Sequence, residues 1–368
     1  MHPIHPVLRQ PPKEVIFVQT PNSCVHLRGA SVPSSLSTAV RSNPARGWLQ
    51  ALPSGAVAPL LLALLGLAGC GGASLDIKPD ADIAPQHLFM FAPLTTPKPP
   101  TGLEAERVDL GRELFYDTHF SENNTVSCNT CHVLTHYGVD NRVRSIGHNQ
   151  KPGGRNAPTV YNSGLELSQF WDGRAANLAA QAAGPMMNPV EMGMAGPKQI
   201  LAAVRANPAY VRELHQAFPD DADPVSLDTV TTAIADFEDG LLTPSRWDRY
   251  LQGDTTALTD AEKQGLHVFL RTGCAACHAG RGMGGNSYEQ LGAAHSWPDQ
   301  ISDTGRAQTT KQDRDRMFFK VPMLRDIDQT APYFHDGHVA TLEQAVRLMG
   351  RDEAGTELSD QDVRSIVT

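Results

Sequence analysis

The 368-residue sequence lacks a disulfide set, a bilayer-spanning run, a surplus of basic residues and much strand patterning. Its six cysteines are Cys24, Cys70, Cys128, Cys131, Cys274 and Cys277. Four of them fall in two Cys-x-x-Cys-His runs, so no even set remains for a disulfide framework. The longest apolar run, AVAPLLLALLGLA at 56–68, is too short to cross a bilayer comfortably. The formal charge of −9 argues against nucleic acid as a partner. With 40% hydrophobic and 19% charged residues, the chain is ordinary globular material and not a disordered tail.

What is present is dominated by Cys128-Asn129-Thr130-Cys131-His132 and Cys274-Ala275-Ala276-Cys277-His278. The pattern is the attachment signature of a c-type haem. Two thiols spaced by two residues reach neighbouring vinyl groups, and the adjoining imidazole lies where it ligates the iron. A single run could be a redox or zinc half-site; two, each with its histidine, point to two covalently bound haem c groups.

Covalent haem attachment in bacteria takes place outside the cytoplasm, which calls for an export signal. Arg41 and Arg46 precede the 56–68 run, and Leu67-Ala68-Gly69-Cys70 follows it, resembling a lipoprotein cleavage site. The expectation is a lipid anchor on Cys70 and a periplasmic protein held at the membrane. Residues 1–69 read as an upstream leader plus signal peptide. Without them 26 Lys+Arg face 39 Asp+Glu, a formal −13, which suits a partner with a basic or apolar docking face.

Residues 70–100 are Pro-rich and aperiodic, as a tether would be. Thr101-x-x-Glu104 reads as a capping box opening a helix through Leu103, Val108, Leu110 and Leu114. Helical spacing returns at 199–218 and 226–242, and Thr259-x-x-Glu262 opens a helix leading into the second haem motif. Thr341-x-x-Gln344 caps another helix, running to Met349, and the last residues again read as helix. A capped helix before each haem motif suggests a repeat. The fold expected is mainly α: two cytochrome c-like domains, 101–250 and 251–368, each wrapped in long loops around its haem.

From about Leu103 onward the chain resembles the bacterial dihaem cytochrome c peroxidases. The resemblance rests on Ser127-Cys-Asn-Thr-Cys-His132, Ser145-Ile-Gly-His148, Gly154-Arg-Asn-Ala-Pro-Thr159, Phe170-Trp-Asp-Gly-Arg-Ala175, Asn188-Pro-Val-Glu-Met192 and Ala331-Pro-Tyr-Phe-His-Asp-Gly337, in the family's order. It implies that His132 is the proximal ligand of a peroxidatic haem and His148 its removable distal ligand. Trp171 matches the tryptophan between the haems, and Gln181 and Glu191 match the polar pair of the peroxide pocket. In the second half His278 is implied as proximal ligand and Met349 as its axial partner, with Met323 as the substitute. Asn156, Thr330 and Pro332 match positions supplying oxygens to a calcium ion.

The function so implied is reduction of hydrogen peroxide to water with electrons from a small cytochrome c or a cupredoxin, with a homodimer left open. A carboxylate suits the chemistry because it can take a proton from one peroxide oxygen and return it to the other. Two readings compete. A MauG-like enzyme of the same fold would oxidise a protein substrate, but that group carries tyrosine where Met349 stands and lacks the removable histidine. A dihaem electron carrier or redox sensor would leave Glu191 and Gln181 without work. His335 reads as organising the second haem's surroundings, and His136, His215, His267, His295 and His338 receive no role.

Overall fold

The computed structural model describes Ile83, residues 87–297 and residues 303–368. The leader, the apolar run, Cys24 and the Cys70 anchor lie outside the described residues. Eleven α-helices are described: α1 Leu103–Tyr116, α2 Cys128–Cys131, α3 Leu178–Met187, α4 Pro197–Ala206, α5 Pro208–Ala217, α6 Leu227–Asp239, α7 Arg246–Leu251, α8 Asp260–Arg271, α9 Ala307–Thr310, α10 Leu342–Leu348 and α11 Asp360–Val367. The strands are β1 Tyr288–Gln290 and β2 Phe318–Lys320, an antiparallel pair with Tyr288 opposite Lys320. Long loops connect these elements, so the described chain is mainly helical, as expected. No helix among the described residues is long and apolar enough to cross a membrane.

The first core forms where α1 crosses α6. Leu110 and Leu114 meet Val230 and Ile234, joined by Met186, Ile200, Val204 and Leu214. The crossing is close enough that Gly111 has no room for a side chain, its missing Cβ falling on the Ala233 carbonyl. The predicted helix over 199–218 is two helices. The residue before a proline is pushed out of the α region, and Asn207 accordingly ends α4 and caps Pro208-led α5 with its side chain. The capping box expected at Thr101 does not form. Gly102, at φ 59°, is the N-cap and no side chain caps it. The boxes at Thr259 and the cap at Thr341 do form.

The stretch read as a tether is packed at its end. Leu94 is 1% exposed and its N–H donates to Asp248 Oδ1 at 2.6 Å. Phe91 meets the Trp247 ring edge-on at 5.2 Å, and Gly280 N–H donates to the Met90 carbonyl. Ile83 joins Tyr250, Ala257 and Leu266 in a second core. Residues 88–94 therefore form a strap across the region of α7, α8 and the second haem motif. Apolar side chains at Leu88, Phe91 and Leu94 hold the segment despite the prolines that flank it, because burial returns roughly 1.5–3 kcal/mol for each large side chain.

Asp248 is the junction of this region. It caps α7 through the Ser245 N–H, receives Leu94, and pairs with both Arg325 amino groups at 2.7 and 3.0 Å. Further links across the sequence run from Asn156 N–H to the His335 carbonyl, from Thr243 to Asp326 and from Arg155 to Asp303. The described residues, from Ile83 to Thr368, form one compact unit.

Candidate haem site and its surroundings

The first haem motif begins on α2, a single turn set by reciprocal bonds between Ser127 and Thr130. One turn of helix places Cys128 and Cys131 side by side, with His132 ending it. All three line a cavity of about 600 Å³. Burial raises both thiols, Cys131 to about 11, so the chain offers protonated thiols there. Burial lowers the His132 imidazole, against the backbone of Gly138 and Pro158, and leaves it neutral with a lone pair to give. Its Nδ1 is enclosed and makes no hydrogen bond of good geometry, while the ring faces the cavity. Paired thiols, a neutral imidazole and a space of this size fit a haem c.

Gln181 on α3, Trp171 and Glu191 line the same cavity. Burial raises the Glu191 carboxyl, while the Arg174 charge and a bond from Asn188 pull it back. The Trp171 indole donates to the Asn156 carbonyl at 2.9 Å, which fixes its plane. Beyond it stands His335, 2% exposed, edge-on to Trp171 at 6.3 Å and stacked on Phe319 at 4.2 Å. His335, expected to organise the second haem's surroundings, also packs on Trp171. Arg174, which sequence reasoning passed over, lies on the Phe170 ring at 3.4 Å and pairs with Asp172. The buried pair Glu166–Lys320 also reaches the cavity, with Lys320 donating to the Ser168 carbonyl.

His148 is not among the cavity-lining residues. It is 2% exposed, with Nε2 at 2.8 Å from the Pro189 carbonyl and Nδ1 at 3.2 Å from Glu122. Its backbone N–H donates to the Glu191 carbonyl at 2.7 Å. Gly147 permits that approach, since a Cβ there would overlap the carbonyls of Val190 and Glu191. Gly193, at φ +75°, has its missing Cβ pointed into the His148 ring.

In the second motif, Gly273 in a left-handed turn leads from α8 into Cys274, and Thr272 Oγ1 lies 3.4 Å from the Cys274 sulfur. Cys277 is exposed. His278 faces the Met283 carbonyl with Nδ1 at 3.2 Å, which leaves Nε2 for a metal. Burial lowers this imidazole too, partly opposed by Met283 and Pro322. Met323 packs against Gly282 and Gly285 in the same loop. Met349 lies one residue beyond α10 and opens a π-helical turn, Met349–Glu353, a distortion often found where a side chain is re-aimed for function.

Asn156 is buried and its amide donates to the Arg142 carbonyl at 2.9 Å. Asn141 ties down the Thr330 region by donating to the Gln329 and Ala331 carbonyls. Among the described residues, no cluster of three His, Cys, Asp or Glu could hold a metal ion, so a cation near Asn156, Thr330 and Pro332 would depend on neutral oxygens.

Comparison with known proteins places these features in company. The sequence profile of the family described as di-haem cytochrome c peroxidase matches residues 105–256. The chain is 44% identical over 277 residues to a cytochrome c551 peroxidase of Nitrosomonas europaea, covering 75% of this chain and 82% of that one. It is 42% identical over 290 residues to the cytochrome c peroxidase Ccp of Escherichia coli, covering 78% of this chain and 61% of that longer one. Among solved structures, a MauG-like protein associated with microbial copper homeostasis superposes with a TM-score of 0.64 at 29% identity, over 75% of this chain and 91% of its own.

Proposed function

The chain belongs to the di-haem cytochrome c peroxidase family, and from that premise we propose how its residues divide the work of reducing hydrogen peroxide. As a peroxidase it carries haem c and acts on peroxide with electrons from a cytochrome. The observation that carries the assignment is the convergence of Cys128, Cys131, His132, Trp171, Gln181 and Glu191 on one cavity.

Cys128 and Cys131 would hold the haem of the first half, 101–250, and His132, whose ring rests against the backbone of Gly138 and Pro158, would ligate its iron. Bound there, the haem supplies the electrons that break the O–O bond. Glu191 takes the proton from the nearer peroxide oxygen and returns it to the departing one. Gln181 orients the departing oxygen without titrating. Trp171, pinned by Asn156 and backed by His335, lies on the route from the second half, 251–368. There Cys274, Cys277 and His278 hold the other haem. Met323 packs in the loop next to His278 and Met349 opens the π-helical turn; Met349 would be the second ligand, and a thioether there would raise the potential of an iron that collects electrons.

His148 is the removable ligand, and its place between Pro189 and Glu122 is the parked position that leaves the cavity open. Gly193→Ala is expected to drive the ring out of that place; spin-resonance spectra of the half-reduced holoenzyme should then show more low-spin iron in the first half than wild type. An unchanged spin balance would remove the parked-position assignment. A calcium ion at Asn156, Thr330 and Pro332 would brace Trp171 through Asn156. The exposed Cys277 edge suits docking of a small cytochrome c or cupredoxin, in a periplasmic enzyme anchored through Cys70.

The deciding experiment is stopped-flow addition of peroxide to the half-reduced, haem-loaded protein, with a small cytochrome c as donor. Stoichiometric donor oxidation, two electrons per peroxide, is the expected result. Peroxide left unconsumed by a fully loaded, half-reduced sample would overturn the assignment of this cavity.

A further inference from the structure

The cavity contains a carboxyl group that the scheme above leaves idle. Glu238, at the end of α6, is 5% exposed and lines the same space as Gln181 and Glu191. Ile234, one helical turn earlier, lines it as well, while Phe237 turns away onto Phe115 and Asp239 onto Gly164. Residues four apart share a helix face, so α6 aims Glu238 inward beside Cys128, on which its charge acts.

The charged groups around Glu238 are occupied elsewhere. On α1, Arg107 pairs with Asp236, and on α4 Arg205 donates to the Val225 carbonyl. The α2 and α3 segments carry no charged side chain. Arg174 is engaged with Asp172 and Glu191. Burial alone acts on the Glu238 carboxyl and raises it to about 8. A buried acid with no cation beside it keeps its proton, because the charged form is the one desolvation penalises.

Peroxide reduction consumes protons as well as electrons: H2O2 + 2 H+ + 2 e− → 2 H2O. Glu191 moves a proton that the peroxide already carries, so both net protons must enter from elsewhere. We propose that Glu238 is the proton store of the cavity, giving its carboxyl proton to the oxygen left behind once the first water, completed by the proton that Glu191 moves, has departed. Two electrons from the donor cytochrome reduce that oxygen, it leaves as the second water with the Glu238 proton and one from solvent, and the Glu238 carboxylate is reprotonated from solvent before the next turnover. This rests on the assignment of peroxide cleavage to this cavity, and it adds to that assignment a residue and a direction of proton supply.

The test uses haem-loaded wild type, Glu238→Gln and Glu191→Gln. Infrared difference spectra, before and after peroxide in H2O and D2O, are expected to show a protonated-carboxyl band that shifts in D2O. The band should be lost on turnover, absent from Glu238→Gln and retained in Glu191→Gln. Turnover by Glu238→Gln should fall about tenfold or more, and its remaining rate should fall with rising pH from pH 6 upward, where the wild type holds level. A wild type without the band, or a Glu238→Gln enzyme with wild-type rate and pH profile, overturns the proposal. If Glu238→Gln fails to load haem, Glu238→Asp decides instead, since the band must move with the shorter acid. Wild-type enzyme that consumes no peroxide would overturn the parent assignment; wild type that does so while Glu238→Gln matches it overturns only this one.

Discussion

A Glu191→Gln enzyme is expected to turn over peroxide about 10²- to 10⁴-fold more slowly than wild type, the range a positioned acid–base group contributes. The amide preserves shape and hydrogen bonding but cannot carry a proton between the two oxygens. Haem content and the absorption spectrum should not change, because Glu191 neither ligates iron nor joins a haem thiol. The pH dependence supplies a second signature. Glu191 must be ionised to accept the first proton, and burial raises its carboxyl despite Arg174 and Asn188. The acid limb of kcat/KM should therefore fall at a pH above the ordinary glutamate range, and that limb should vanish in the variant. Arg174→Ala should move it further upward, because it removes the charge that favours the carboxylate. Steady-state rates between pH 4 and 8 decide the matter; a glutamine enzyme of near wild-type rate would transfer the role elsewhere.

The largest effect on stability is expected from Asp248→Ala. Asp248 and Arg325 are each 4% exposed and share two charge-assisted bonds, while Asp248 also accepts from Leu94 and Ser245. Removing the carboxylate strands a buried guanidinium, which costs about 3–5 kcal/mol, a fall in midpoint temperature on the order of 10 °C. Asp248→Asn keeps an acceptor for the strap and should cost less. The same group sets an acid limit. Burial raises its carboxyl, but Arg325 and the two backbone N–H groups outweigh that and hold it below the aspartate range. A depressed folded pKa means stability that is present above the ordinary aspartate value and lost as pH falls through the folded one. Calorimetry of the haem-loaded variant at neutral and acid pH tests both statements; a variant that melts with wild type at neutral pH would show the pair to be dispensable.

What could be read from the residues, and what could not, follows from the range of the forces involved. Both haem motifs, the Thr259 and Thr341 caps and the helical core were legible because each is written within a few neighbouring positions. The Thr101 box failed because Gly102 took a left-handed turn that moved the cap by one residue. The strap at 88–94 was hidden by its surroundings: Pro79, Pro85, Pro97, Pro99 and Pro100 flank it, yet Leu94 is held by Asp248, which lies 154 residues away. Glu238 stood in plain view on an amphipathic helix. Nothing local distinguishes a buried acid from a solvated one until α3 and α2 close over it. His148, expected as a removable distal ligand, stands outside the cavity lining, and its partners there, Glu122 and Pro189, come from segments whose approach depends on Gly147 and Gly193. Arg174 stands in the quoted Phe170–Ala175 motif, yet nothing within that motif tells that it will lie on the Phe170 ring and act on Glu191.

The strap has a consequence for the order of assembly. The segment that leaves the ribosome before either haem motif is fastened to side chains made more than 150 residues later, Leu94 to Asp248 and Ile83 to Tyr250. Asp248 in turn is held by Arg325, later still. Contacts this distant in sequence close late, so the strap stays unfastened until Arg325 has been made. The strap is thus latched through Asp248 by Arg325, so a segment that precedes both haem motifs is held in place by a residue that follows both.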